Sequence, residues 1–127
     1  MTTVFIKEDG LKKLVLNKLI PAGLDEKTAQ DVADVLVHAD MTGVHSHGVM
    51  RVEHYCTRLQ AGGLNPAANM TINTLSPSVA VLDADDGMGH SALKAATDHA
   101  IALAKETGLG FVGIKNASHC GALSWFA

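Results

Sequence analysis

The stretch Val79-Ala80-Val81-Leu82-Asp83-Ala84-Asp85-Asp86-Gly87-Met88-Gly89, continued by Ser91 to Thr107 and by Gly110-Phe111-Val112-Gly113-Ile114-Lys115, decides the fold class. Val79 to Ala84 is a short, apolar, β-prone run. Asp85 to Gly89 is turn chemistry, because Asp and Gly tolerate the backbone angles of a sharp reversal. Ser91 to Thr107 is rich in Ala and Leu, both strong helix formers, with Lys105 near the negative end of the helix dipole and Gly108 just past the last turn. Gly110 to Lys115 then reads as a buried strand. Strand, helix and strand in succession mark the start of an α/β unit.

Upstream, Met70 to Leu75 is a second β-prone run, and Ser76-Pro77-Ser78 between the two predicts a hairpin. Ala61 to Asn69 has no periodicity and carries Gly62-Gly63 and Asn65-Pro66, so it reads as a surface loop and a boundary. Before it the spacing is helical. Leu11, Leu14, Val15 and Leu19 define a first helix, ended by Pro21-Ala22-Gly23. Asp25 caps a second, on which Ala29, Val32, Ala33, Leu36, Val37 and Asp40 share one face up to Gly43. A third helix is expected from about His47 to Leu59, with Ser46 as N-cap and Gly62-Gly63 as its stop. The expected architecture is therefore α+β: a helical subdomain over residues 1–66, followed over 67–127 by the start of an α/β subdomain. The last residues, Gly121 to Ala127, are apolar and uncapped and read as an element cut in mid-course, so the chain is expected to be truncated.

At 127 residues and 47% hydrophobic, the chain can bury a core. Its formal charge of −3 gives it no general attraction for nucleic acid or an anionic membrane, and neither is an expected partner. Met1 to Asp9 reaches charge before an apolar leader can build, and no membrane-length apolar run follows, so the expected location is cytoplasmic. Cys56 and Cys120 lie far apart without CxxC spacing, which predicts reduced thiols.

Chemistry concentrates in His45-Ser46-His47-Gly48-Val49-Met50-Arg51-Val52-Glu53-His54-Tyr55. On a helix beginning at His47, the residues His47, Arg51 and Tyr55 stand four apart on one stripe. An imidazole, a permanent cation and a phenol suit a small carboxylate substrate: the planar guanidinium grips the carboxylate, the imidazole exchanges a proton near neutral pH, and the phenol orients. The same spacing also fits a structural reading, in which Arg51 forms a salt bridge, the Tyr55 hydroxyl sits at the surface and His47 belongs to the helix cap. A second cluster, Lys115-Asn116-Ala117-Ser118-His119-Cys120-Gly121, follows the last strand. Ligands commonly bind at such strand ends, where a histidine can serve as general base or simply as a hydrogen-bonded structural residue.

Ala39-Asp40-Met41-Thr42-Gly43-Val44 leading into the His45–Tyr55 stretch, with Gly62-Gly63-Leu64-Asn65, the Asp83 to Gly89 turn, and Gly110 to Asn116 running on to Ser118-His119, resembles the malate/L-lactate dehydrogenase-like oxidoreductases in order along nearly the whole chain. This family differs in fold from Rossmann-type lactate dehydrogenases. Within it, the doubled histidine His45-Ser46-His47 and the His119, Gly121-Ala122 pairing are most similar to the branch that oxidises (S)-ureidoglycolate to oxalurate in allantoin catabolism, while Cys120 departs from that branch. The resemblance implies oxidation of a small 2-hydroxy acid with hydride passing to NAD, or to NADP. His119 would be the proton acceptor and His47 a second proton-handling or orienting group. Ser46, Arg51 and Tyr55 would line the substrate site. It further implies a homodimer or larger homo-oligomer. Family members are considerably longer, so most nicotinamide contacts are expected beyond this sequence, and the segment alone is expected to be inactive.

Three other signals are weaker. Gly108-Leu109-Gly110-Phe111-Val112-Gly113 matches GxGxxG as a string but runs from helix to strand, the reverse of a dinucleotide fingerprint. Gly87-Met88-Gly89 could cradle an anion ahead of a helix, although chain reversal explains it more simply. His45 and His47 with Cys56, His119 or Cys120 lack the spacing of a compact zinc site, so no metal is expected. A reading of another class makes the His-Arg-Tyr stripe the contact surface of a non-catalytic assembly module.

Overall fold

The computed structural model describes residues 4–127; Met1-Thr2-Thr3, part of the opening read for a leader, lies outside them. The elements follow in the order α1 (Glu8–Leu19), α2 (Glu26–Met41), α3 (Val52–Gln60), β1 (Thr71–Ser76), β2 (Val79–Asp83), α4 (Gly89–Thr107) and β3 (Phe111–Lys115). The fold is α+β, with three helices ahead of a small sheet. No helix among the described residues is long and apolar enough to cross a membrane.

Helix α2 is buried on two sides. Asp25 caps it, accepting from the Thr28 backbone N–H at 2.9 Å and from the Thr28 hydroxyl at 2.8 Å. Ala29, Val32, Ala33 and Leu36 pack with Val15 and Leu19 of α1 and with Tyr55 and Leu59 of α3. Leu14, counted among the core positions of the first helix, turns to solvent instead. The other side of α2, which the periodicity did not single out, buries Val35 and Asp31. Asp31 is 5% exposed and accepts from Ser91 Oγ at 2.8 Å and Lys94 Nζ at 2.7 Å, both on α4. A carboxylate this buried needs such partners, so the pair ties α4 to α2.

The third expected helix is not continuous. Gly48 is extended (φ −91°, ψ −158°) and separates two 3-10 turns, His45–His47 and Val49–Arg51, so α3 starts only at Val52. Ser46 makes no capping hydrogen bond. The cause is local competition from a side chain: Asp40, at the end of α2, takes the Val49 N–H on Oδ2 at 2.8 Å and meets His45 Nδ1 with Oδ1 at 2.9 Å. After α3, the loop expected at the surface sends Leu64 back into the helical core.

The sheet has the order β1-β2-β3. β1 and β2 form the expected antiparallel hairpin, and β3 returns parallel to β2 with α4 as the crossover. α4 covers one face, where Leu82, Ala84, Ala92 and Ala96 meet Val112 and Ile114. β3 differs from the buried strand that its composition suggested. Among the described residues it pairs only with β2, and Phe111, pointing away from α4, is 62% exposed.

Two glycines set the spacing of α4 and β3. Gly108 ends α4 in the left-handed region (φ 86°). Gly110 lies so close to the Ala100 carbonyl of α4 that a Cβ has no room. Gly110→Ala is therefore expected to destabilise the fold by about 1–3 kcal/mol, the usual cost of overpacking. A urea titration should show a lower midpoint at unchanged slope, and a parent-like midpoint would mean that the helix–strand gap yields freely.

Candidate active site

The site forms where the loop between α2 and α3 meets the loop after β3. Asp40 shapes the first wall. Its carboxylate occupies the position that a Cβ on residue 48 would need, which explains why glycine stands there. In the resulting fold of the loop, the Ser46 hydroxyl lies 3.0 Å from His47 Nδ1, and Arg51 Nε donates to the Ser46 carbonyl at 2.7 Å.

The second wall is held by the turn before α4. Gly89 N–H donates to Ser118 Oγ at 2.9 Å, and Ser118 N–H donates to the Gly87 carbonyl at 3.3 Å. A Cβ at Gly89 would collide with the Ser118 and His119 backbone. Gly87-Met88-Gly89 thus reverses the chain and seats the residue beside His119, while the Gly89 N–H is committed to Ser118 rather than free for an anion.

The two walls bring the expected residues together. Tyr55 Oη and His119 Nδ1, 64 positions apart in sequence, are 3.0 Å apart, and the His47 and His119 rings lie 5.3 Å apart between centroids. His47 and Tyr55 do not share one uninterrupted helical stripe, as the spacing suggested; the 3-10 turns deliver His47 and α3 delivers Tyr55. Two of the three elements of the structural alternative are not seen among the described residues. Tyr55 is 2% exposed, with its hydroxyl on His119, and among the described residues no carboxylate pairs with Arg51.

The electrostatics suit proton transfer. Partial burial, then the neighbouring Arg51, His47 and His54, lower the His119 pKa below the ordinary histidine value. The ring stays neutral to lower pH and keeps a lone pair available, although His119 as a residue is exposed to solvent. Burial pushes the Tyr55 phenol up to about 12, against the opposing pull of Arg51, so it remains a neutral hydroxyl. That neutrality lets Tyr55 serve either tautomer of His119. When Nδ1 accepts from Tyr55 and, more weakly, from Gly121 N–H at 3.3 Å, Nε2 carries the proton; only the other tautomer, with Nδ1–H donating to Tyr55 Oη and the Gly121 bond given up, leaves Nε2 free to take a proton.

Sequence reasoning missed three contributors. Asp40 enters the sequence reading as part of a helix face and of the family-like stretch, with no role assigned, and His54 carries no signal beyond its place in the histidine-rich stretch. His90 was passed over between a turn and a helix, yet it is fully buried with its ring edge-on to Tyr55 at 5.3 Å. Among the described residues, no group of three or more His, Cys, Asp or Glu is arranged to hold a metal ion. Asp40→Ala removes the bonds to Val49 and His45 together, and the fold should lose about 1–3 kcal/mol, the range for stranding a hydrogen-bonded backbone donor. Chemical denaturation would read this, and an unchanged midpoint would show that the loop holds its shape without Asp40.

Comparison with known proteins places this geometry. Residues 6–127 match the malate/L-lactate dehydrogenase family. The chain is 42% identical over 121 residues to a ureidoglycolate dehydrogenase (NAD(+)) of Escherichia coli K12, covering 95% of this chain and 35% of that protein. It is 38% identical over 124 residues to an L-sulfolactate dehydrogenase of Methanocaldococcus jannaschii, covering 98% of this chain and 36% of that protein. The structure of malate dehydrogenase from Pyrococcus horikoshii superposes with a TM-score of 0.93 at 35% identity, over 98% of this chain and 36% of that one. The chain thus spans about a third of the length of these relatives, and with the match running from residue 6 to residue 127 it belongs to the malate/L-lactate dehydrogenase family of oxidoreductases.

Proposed function

We propose that the full-length protein oxidises a 2-hydroxy acid, (S)-ureidoglycolate to oxalurate, with NAD as the hydride acceptor. The single observation that carries the catalytic reading is the convergence of Tyr55, His47 and Arg51 on His119 from two distant parts of the sequence. The choice of ureidoglycolate and of NAD rests on the 42% identity to the dehydrogenase of that name. Malate, L-lactate and sulfolactate are the competing substrates within the family. A homo-oligomer and a cytoplasmic location belong to the same reading.

In this reading His119 removes the hydroxyl proton as hydride leaves the same carbon. Without a base, hydride departure would leave a protonated carbonyl, and a neutral imidazole accepts that proton without trapping it. Arg51 binds the substrate carboxylate through the guanidinium nitrogens that Ser46 does not occupy, and Ser46 and His47 complete that side of the pocket. Tyr55 orients His119. Gly108 to Gly113 runs from helix to strand, and the space above Gly110 is filled by the Ala100 carbonyl, so this string is not a phosphate cradle. Most NAD contacts are expected outside this segment because the chain spans about a third of the length of its relatives. A non-catalytic assembly surface fits less well, because Tyr55 is buried and its hydroxyl is committed to His119.

His119→Ala in the full-length protein should lower kcat by about 10²–10⁴-fold with substrate still bound, the usual worth of a positioned general base. Because the His119 pKa is lowered, parent activity should persist into mildly acidic buffer, then fall as the ring protonates, and that limb should vanish in the variant. If His47→Ala abolishes turnover while His119→Ala does not, the two roles are exchanged.

Arg51→Lys keeps the charge and loses the planar fork, so substrate affinity should weaken by roughly 1.5–3 kcal/mol with a smaller effect on kcat. Parent-like kinetics would remove Arg51 from the site. Following NADH formation across ureidoglycolate, malate, L-lactate and sulfolactate tests the substrate, and silence toward ureidoglycolate would sink the first choice.

A further inference from the structure

His90 opens the first turn of α4 and is wholly buried, yet neither ring nitrogen has a hydrogen-bond partner among the described residues. Two stranded buried nitrogens are costly, and in native proteins such groups usually have a reason. Its surroundings supply one. On one side the ring stands edge-on to Tyr55 (5.3 Å, 79°) and 6.4 Å from the His119 ring. On the other it lines a cavity of about 10 Å³ with Asp31, Asp34, Val35 and Lys94, walled by Trp125 and Phe126. That is room for about one water, in a space that Trp125 and Phe126 only partly close, and its lining includes the polar side chains of Asp31, Asp34 and Lys94.

We propose that this cavity is a one-water site, whose water ties a His90 ring nitrogen to the Asp31–Lys94 pair, and that His90 so fixed is a positioning residue for Tyr55 and His119. The proposal rests on the catalytic reading given above. The water sets which nitrogen of His90 carries the proton, and the fixed ring then forms a rigid wall behind the Tyr55 phenol. Tyr55 in turn holds its hydroxyl on His119 Nδ1. Burial, reinforced by His119 and opposed by Asp31, lowers the His90 pKa to about 3, so the ring adds no second positive charge beside the base at working pH. Gly121 closes the far side, where a Cβ would press on both the His90 ring and Val35.

The test uses the full-length protein. Nitrogen NMR of ¹⁵N-histidine-labelled parent should show His90 in one tautomer, with no titration between about pH 5 and pH 9, whereas His119 titrates. A tautomer-averaged or titrating His90 would overturn the proposal without any variant. His90→Phe keeps a ring against Tyr55 but removes both nitrogens; kcat should fall roughly 10- to 100-fold, the cost of slight misplacement, with the acidic limb of the pH profile displaced and KM little changed. His90→Gln, which can still hold the water, should recover most of the loss. Parent-like kcat and pH profile in a folded His90→Phe would sink the role. If His119→Ala is itself fully active, the catalytic reading fails; if His119→Ala is inactive and His90→Phe is indistinguishable from parent, only the role of His90 fails.

Discussion

The contact on which the site depends is the 3.0 Å hydrogen bond between Tyr55 Oη and His119 Nδ1. It joins α3, in the helical half of the chain, to the loop after β3, and it forms only if both halves are held to a fraction of an ångström. On one side Tyr55 is locked by the core around α2. On the other, His119 is placed by backbone hydrogen bonds that pass from the Ala84–Gly89 turn to Lys115, Asn116 and Ser118. The salt bridge and hydroxyl contact of Asp31 with α4 fix the relation between the two. The geometry of the pair is thus a property of the whole packing, and small steric changes at Gly48, Gly89 or Gly121 are transmitted to it.

That dependence also explains what the sequence revealed and what it hid. α1, α2, the hairpin and α4 were legible because each is a local pattern: spaced apolar residues, an Asp cap, turn residues between β-prone runs, a terminal Gly. The break at Gly48 was not. It arises because the Asp40 carboxylate accepts the Val49 N–H that a Ser46 cap would otherwise take, and no periodicity records such a contact. β3 misled for a related reason. Its apolar composition says that one face is covered, but only the pairing shows that Phe111 stands on the open face of an edge strand.

The site residues divide in the same way. His47, Arg51, Tyr55 and His119 stand out by residue type and Ser46 only through the family resemblance; the structure brings Tyr55 and His47 to His119. His90 and Asp40 were missed because they act by filling and holding space, and a single histidine at a helix start or an Asp at a helix end has many ordinary explanations. The helical stripe drawn through His47, Arg51 and Tyr55 led to the right neighbours through the wrong local structure. A spacing of four matched a helix, whereas the chain uses two 3-10 turns and then a helix to bring the same groups together.

The proposed roles carry a consequence for specificity. A group discriminates between substrates only to the extent that it meets the part in which they differ. Ureidoglycolate, malate, L-lactate and sulfolactate share a carboxylate next to a hydroxyl-bearing carbon, the part assigned to Arg51 and His119. Under the proposed roles those two residues would not distinguish the four substrates, and the segment is 42% identical to one dehydrogenase and 38% identical to another. Discrimination falls to groups facing the far end of the substrate, where a ureido group asks for hydrogen-bond partners and a sulfonate or second carboxylate asks for a cation. Arg51 is already engaged by Ser46 on one nitrogen, which leaves it a single fork and so a single carboxylate to hold. Preference for a dianionic substrate would require a second cation at that far end, and preference for ureidoglycolate would require uncharged donors and acceptors in its place.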